Sequence, residues 1–502
     1  MTAAWEHRAT HKVLGLAGGR MVAQLLGLAW FLVAARSFDA DDFGVLSAGL
    51  ILVSVIGGIS DLGATRTIVR HVAADPTSLR NNFLVTAGVR GAGAAVVGVA
   101  AVVIAPMLQD ELSPSIVVAA TAIAVVSGVT EVGFCGLRSV GRVGTEVTLL
   151  VAERVLFVAT GTAAVLLGYG PLAVLWAYAI TNSISAAIVG VRCWFWADGR
   201  VGHAGPMFDA EGRRTALGST LVVVGPRISG FLLVLMSTSV VVGSFTVAQK
   251  VPEALGTLGI AILMPLLPMT RSAVIRGRER PAVRRASLLA AAVAAALTPL
   301  AVLLSIQGHQ IIDMLFGLGD RPGVTTATML LSWAMVIWVV RSFGELILLA
   351  QERASRFVAA IAASVIANIA LGVFWIPDHG ATGAAGATLA AESLVFLLVF
   401  AGLRQTLRPE DARAFIPSLI VGAITAVTCL AFRSAPLAVP ASLATIWSLC
   451  GLTFTGLKLR TQSRSTDSGQ DDDEFQDGTS PQVLGSQSVD AIELFSAPTD
   501  SL

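Results

Sequence analysis

Twelve ionisable side chains sit inside stretches otherwise apolar enough to face lipid: Arg20, Arg90, Glu131, Glu146, Glu153, Arg154, Arg227, Lys250, Glu253, Arg341, Glu345 and Glu392. A charge at membrane depth costs about 2.5–3.5 kcal/mol on insertion scales, so each of these needs a partner or a watery cavity. Some can neutralise one another on a single helix. Lys250 and Glu253 are three residues apart and Arg341 and Glu345 four apart, which are contact spacings on a helix. Glu146 and Glu153 are seven apart and share a face, with Arg154 turned about 100° away.

Arg20, Arg90 and Arg227 differ, because none has a carboxylate within four residues. Small residues surround them: Gly18 and Gly19, then Gly88, Gly91 and Gly93, then Gly225 and Gly230. Small neighbours let helices approach closely or leave room for a ligand. Arg227 follows Pro226, where a kink frees backbone carbonyls. A guanidinium fork matches two phosphate oxygens at once and keeps its charge at any relevant pH. Two readings therefore stand: the three converge on one cavity for a dianionic pyrophosphate, or each pairs with an acid on another helix. Lys250 and Arg341 join them as candidate substrate-binding cations. Asp61, Glu131, Glu146, Glu153, Glu253, Glu345 and Glu392 are the candidates for ion coupling or charge pairing.

Other features carry less chemistry. His309 and His379 are isolated, the acids Asp39, Asp41 and Asp42 read as a turn, and Cys135, Cys193, Cys429 and Cys450 form no CxxC pair, so no metal site is expected. No GxxxxGK[ST] phosphate loop occurs, so ATP hydrolysis by this chain is not expected, and neither is any cofactor.

These side chains must be positioned by membrane helices. The chain of 502 residues is 55% hydrophobic and only 13% charged, about half the charged share of a soluble domain, and its mean hydropathy is +0.77. A helix needs about 20 apolar residues to cross the hydrocarbon layer. Such segments recur at 13–35, 43–64, 82–106, 115–137, 146–168, 171–195, 215–237, 243–268, 286–307, 324–350, 355–376, 382–403, 414–433 and 437–457. With both termini on one side, and Arg192 and Arg356 at the ends of their spans counted with the loops they adjoin, 25 of the 34 Lys and Arg fall on that side, and only Arg36, Arg321 and Arg433 on the other. By the positive-inside rule the first side is cytoplasmic. A missed span would invert the bias downstream, and no inversion occurs. The first segment contains Arg20 and lacks a clean cleavage site, so it reads as a retained span rather than a signal peptide.

The expected fold is thus an all-α polytopic membrane protein of about fourteen transmembrane helices. Its expected divisions are a six-helix lobe over 1–197, a cytoplasmic loop over 198–213, a second six-helix lobe over 214–405 and two further helices over 406–458. An acidic tail over 459–502, rich in Ser and Gly, cannot bury a core and is expected to be disordered. The basic loop at 271–285 suits topology and anionic lipid headgroups. DFGVLSAGLILVSVIGG (42–58) and VVGSFTVAQKVPEALGT (241–257) align as a weak internal repeat, pairing Gly44 with Gly243 and Gly57 with Gly256.

Three stretches carry a resemblance: AARSFDADDFGVLSAGLILVSVIGGISDLGATRTIVRH (34–71), VGSFTVAQKVPEALGTLGIAILMPLLP (242–268) and NIALGVFWIPDHGATGAAGAT (368–388). Together they resemble the polysaccharide-export flippases of the Wzx type. These belong to the superfamily that also holds the MATE drug exporters and the peptidoglycan-precursor flippases. The resemblance implies two six-helix lobes around a central cavity that opens alternately to either side of a bacterial cytoplasmic membrane. It implies as cargo a saccharide linked through pyrophosphate to a polyprenyl lipid, with membrane lipids and polysaccharide assembly proteins as partners, and no nucleic acid. The alternatives are cation-coupled export of small amphiphiles and, in another class, a membrane glycan polymerase or ligase. The enzyme reading needs a sizeable outward loop, and the longest outward connection spans only 308–323.

Overall fold

In the computed structural model, the described residues are 2–108, 113–195, 220–263, 279–351, 353–432 and 437–450, with the single positions 218, 270, 273 and 453. The expected loop at 198–213, most of the basic loop at 271–285 and the tail at 459–502 lie outside them. The helices are α1 (Thr2–Ser37), α2 (Ala40–Ser60), α3 (Ala64–Ala74), α4 (Leu79–Leu108), α5 (Pro114–Ser139), α6 (Val143–Leu166) and α7 (Pro171–Trp194). The chain continues with α8 (Thr220–Met236), α9 (Ser239–Leu263), α10 (Glu279–Phe316), α11 (Val324–Ala350), α12 (Ala354–Gly402), α13 (Pro409–Arg413), α14 (Ile416–Ala431) and α15 (Ala438–Cys450).

The described part of each of the fourteen apolar segments falls mainly on one of these helices, and the chain is an all-α polytopic membrane protein. Nine helices among the described residues are long and apolar enough to cross a membrane. One of them, α12, covers two expected spans: it runs through 354–402 with a break at Gly380, whose φ of 51° and ψ of −124° are not helical. The eighth span also finds room to turn, with Ser237 extended at the end of α8 and α9 beginning two residues later.

Local chemistry sets the ends. Asp39 caps α2 by accepting from the Asp42 amide at 2.8 Å, and Pro114 and Pro171 begin α5 and α7 at positions where the missing N–H costs nothing. The short helix α3 is unexpected from hydropathy. It buries Ile68, Val69 and Val72 and leaves Arg66 and Arg70 partly exposed, an amphipathic pattern that fits a membrane boundary. Leu62 and Gly63, both at positive φ (45° and 77°), turn the chain from α2 into α3. The Asp61 carboxylate ties that corner by accepting from the Thr65 hydroxyl at 2.6 Å.

α1, α2 and α4–α7 pack mainly on one another, and α8–α12 form a second packed set with α14 lying on α10. The sets meet chiefly where α2 crosses α9 and α8. A Cβ on Gly44 would stand 2.0 Å from the Ser239 carbonyl oxygen, and one on Gly243 would stand 3.2 Å from the Gly44 Cα. Two positions aligned as an internal repeat are thus in contact. Around this crossing Trp30, Phe31, Phe43, Phe245 and Phe316 share one buried cluster. The Arg36 guanidinium donates to the carbonyls of Leu315, at 2.9 Å, and Met314, and Ser239 donates to Asp41 at 3.1 Å. The end that holds the α1–α2 turn is therefore shut. A cavity lies between the sets toward the other end of α2.

Candidate functional site

The cavity encloses about 760 Å³ of space, counting its open mouth. Five helices supply its charged wall: α1 gives Arg20, α4 gives Arg90, α5 gives Glu131 and Arg138, α6 gives Glu153 and Arg154, and α8 gives Arg227. Tyr178 and Asn182 on α7 and Ser54, Gly57 and Gly58 on α2 add uncharged lining. Five arginines thus face two glutamates. A smaller space of about 330 Å³ shares Ser54 and Arg227 with it and reaches Lys250 on α9.

Each arginine is held differently. Arg90 is almost fully buried and meets Asp61 at 3.2 Å, Glu131, and the Thr65 hydroxyl at 3.0 Å. It therefore links the cavity wall to the α2–α3 corner. Arg227 follows Pro226 in a 3-10 turn at Gly225–Arg227 that interrupts α8, and it donates to Glu253 at 3.0 Å. Lys250 donates to the other Glu253 oxygen at 3.2 Å. Arg154 reaches the Tyr178 hydroxyl at 3.4 Å, while Tyr178, Phe157 and Trp30 stack in series with centroids 4.4 and 4.6 Å apart. Arg138 grips the buried Glu146 with two hydrogen bonds of 3.0 and 2.5 Å. Arg20 stands 3.7 Å from the same carboxylate.

The structure brings Arg20, Arg90 and Arg227 to one cavity and gives each an acid from another helix, so the two readings of these arginines coexist. Both same-helix pairs form. Lys250 sits next door in the smaller space, but Arg341 is elsewhere. It is buried within the second helix set, bonded to Glu392 at 2.5 and 3.3 Å and paired with Glu345. Asp61 serves the α2–α3 corner, and Glu146 lies just behind the cavity wall.

Arg138 and Tyr178 were not singled out from sequence. Arg138 falls one residue beyond the expected fourth span and counts there as a loop charge, whereas α5 continues to Ser139. Tyr178 did leave a signal. It is one of only two tyrosines, and a phenol hydroxyl at membrane depth needs a partner.

The fold recurs in known proteins. The lipid II flippase MurJ, in an inward closed conformation, superposes with a TM-score of 0.57 at 13% identity, over 88% of this chain and 99% of that one. A MOP superfamily transporter from Pyrococcus furiosus gives a TM-score of 0.55 at 14% identity, over 79% and 95% of the two chains. An inward-facing multidrug resistance MATE transporter gives 0.56 at 13% identity, over 78% and 95%. No curated protein matches in sequence. The polysaccharide biosynthesis protein family matches residues 9–272, more than half of the chain. With that match and that fold, the chain belongs to the polysaccharide biosynthesis protein family and has the architecture of the MOP superfamily transporters.

Proposed function

We propose that this protein flips a polyprenyl-pyrophosphate-linked oligosaccharide, a precursor of cell-surface polysaccharide, across the bacterial cytoplasmic membrane. The observation that carries the reading is the cavity between the helix sets, where five arginines outnumber two glutamates. Asp61, Glu146 and Glu253 stand behind this wall and offset part of its charge. The guanidinium forks that face the cavity, rather than a large net charge, therefore suit a diphosphate over the cationic amphiphiles that a drug exporter would carry. Neutral groups beside the arginines, including Tyr178, Asn182 and Ser54, suit a saccharide, which offers hydroxyls to hydrogen-bond and ring faces to stack. Membership of a polysaccharide biosynthesis family points the same way.

In this reading residues 1–197 and 214–405 act as two lobes that rock about the α2–α9 crossing, and 406–458 adds two peripheral helices. The shut end faces outward and the cavity is loaded from the cytoplasmic side, where both termini lie. The protein works as a transporter and not as an enzyme. Membrane lipids surround it, and polysaccharide assembly proteins consume its product.

The test is reconstitution in proteoliposomes with a fluorescent polyprenyl-pyrophosphate saccharide and a membrane-impermeant quencher. Protein-dependent movement of the label between leaflets is expected. Absence of movement, together with protein-dependent export of a cationic amphiphile, would replace this reading with the drug-exporter one.

A further inference from the structure

Around Glu146 the charges do not balance. Its side chain is 1% exposed and carries one negative charge, yet two guanidiniums attend it. Arg138 takes both carboxylate oxygens, at 3.0 and 2.5 Å. Arg20 is left 3.7 Å away, beyond hydrogen-bond reach. Its Nε is buried without a hydrogen-bond partner, and its side chain retains 18% exposure in the cavity wall. The other two arginines singled out from sequence are better satisfied: Arg90 has Asp61, Glu131 and Thr65, and Arg227 has Glu253.

The backbone explains why Arg138 holds the carboxylate. α5 ends and α6 begins across the Val140–Arg142 corner, where Gly141 has φ +79°. Arg138 and Glu146 lie eight residues apart across that corner, so their pair forms within one hairpin. Arg20 arrives from α1, which packs along α6 and approaches so closely that a Cβ on Gly19 would collide with Val147. A local bidentate pair has less ordering to do than a pair made between distant helices. Arg138 is therefore the resident partner of Glu146, and Arg20 is the surplus cation.

We infer that Arg20 is the residue that grips the phosphate-bearing part of the cargo, and that Arg138 is a positioning residue that keeps Glu146 from capturing it. This rests on the reading of the cavity as an anion site and assigns that site to its α1–α5–α6 side. An incoming diphosphate meets a partly exposed guanidinium with one net positive charge beside it, and no hydrogen bond from Arg20 to a described residue has to break. Without Arg138, Glu146 would be a buried carboxylate whose nearest remaining cation is Arg20, and it would draw Arg20 out of the cavity.

The test is titration of the purified full-length protein with inorganic pyrophosphate by isothermal calorimetry, on variants that keep the wild-type melting temperature. R20A should lose about tenfold or more in affinity, the loss of a charge-assisted contact, with R20K between it and wild type. R138A should weaken binding comparably, and R138A/E146Q should restore it, because removing the carboxylate's charge releases Arg20. E146Q alone should bind at least as tightly as wild type. Wild-type affinity in R20A would overturn the assignment and move the anion to another arginine. Failure of E146Q to rescue R138A would mean that Arg138 touches the anion itself, which overturns the positioning role. If pyrophosphate binds as described but the lipid-linked saccharide is not flipped, the site stands and only the flippase reading falls.

Discussion

A charged side chain in this protein is used in one of two ways, depending on whether its partners cancel it and whether the cavity can reach it. Arg341 is the fully buried case. One guanidinium serves Glu345 and Glu392, and all three are 9% exposed or less. Removing it strands two carboxylates, so Arg341→Ala should destabilise the protein by about 3–5 kcal/mol, the range for breaking a buried pair. Thermal unfolding in detergent would measure this, and a melting temperature equal to wild type would show that the triad is not structural. Arg227 is the reachable case. Glu253 keeps Lys250 when Arg227 is lost, so Arg227→Ala should still insert and fold. Its cargo affinity should fall by about ten- to a hundredfold, equivalent to roughly 1.5–3 kcal/mol for a charge-assisted hydrogen bond. Arg227→Lys keeps the charge without the planar fork and should lie between. Near-normal binding by Arg227→Ala would assign this arginine to the Glu253 pair alone.

Among the elements, α2 does the most. Its first half seals one end of the molecule against α9, its last turns line the cavity through Ser54, Gly57 and Gly58, and its terminal Asp61 fixes α3. The seal depends on the missing side chain at Gly44, where even a methyl group would stand 2.0 Å from a backbone carbonyl oxygen. A backbone atom cannot step aside as a flexible side chain can, so Gly44→Leu should prop the α2–α9 crossing open. A cysteine at Thr246, on the smaller space, should then react faster with an impermeant thiol reagent applied from the α1–α2 side. Unchanged labelling would mean that the crossing does not act as the seal. Gly57 offers a contrast on the same helix, because a Cβ there meets nothing within 4 Å. Gly57→Ala should leave the seal intact in the same assay.

For the whole molecule, the distribution of basic residues and the shut end make one joint prediction about orientation. Cysteines introduced at Asp41 and Gly319 should be labelled from outside intact cells, since 25 of the 34 basic residues fall on the opposite side. Cysteines near Gly202 and Arg278 should be shielded. Reversal of this pattern would invert the direction of loading. Truncation after Arg464 should leave insertion and transport near normal, because the composition of the tail, acidic and rich in Ser and Gly, is too polar to bury a core; loss of membrane accumulation would give the tail a partner instead.

The amino-acid order by itself determined the class of solvent, the apolar segments and the charges that are costly among them. These follow from short-range arithmetic: lipid tolerates only helices of a certain length, and each buried ion demands an explanation. It also determined the Lys250–Glu253 and Arg341–Glu345 pairs, because helical periodicity alone brings such residues together. The α3 helix stayed hidden because it is amphipathic and too short for a hydropathy window. The two spans on α12 were legible, because the non-helical backbone at Gly380 falls in the short connection expected between 376 and 382. Only the tertiary structure decided which distant acid each solitary arginine would meet. Arg90 finds Glu131 41 residues away, Arg227 finds Glu253 26 away, and Arg341 adds Glu392 51 away. Those distances in sequence are set by how whole helices pack, and no local spacing encodes them. For the same reason the surplus at Arg20 was invisible until Arg138 and Glu146 could be seen together: a local pair across one corner leaves a charge from another helix uncancelled.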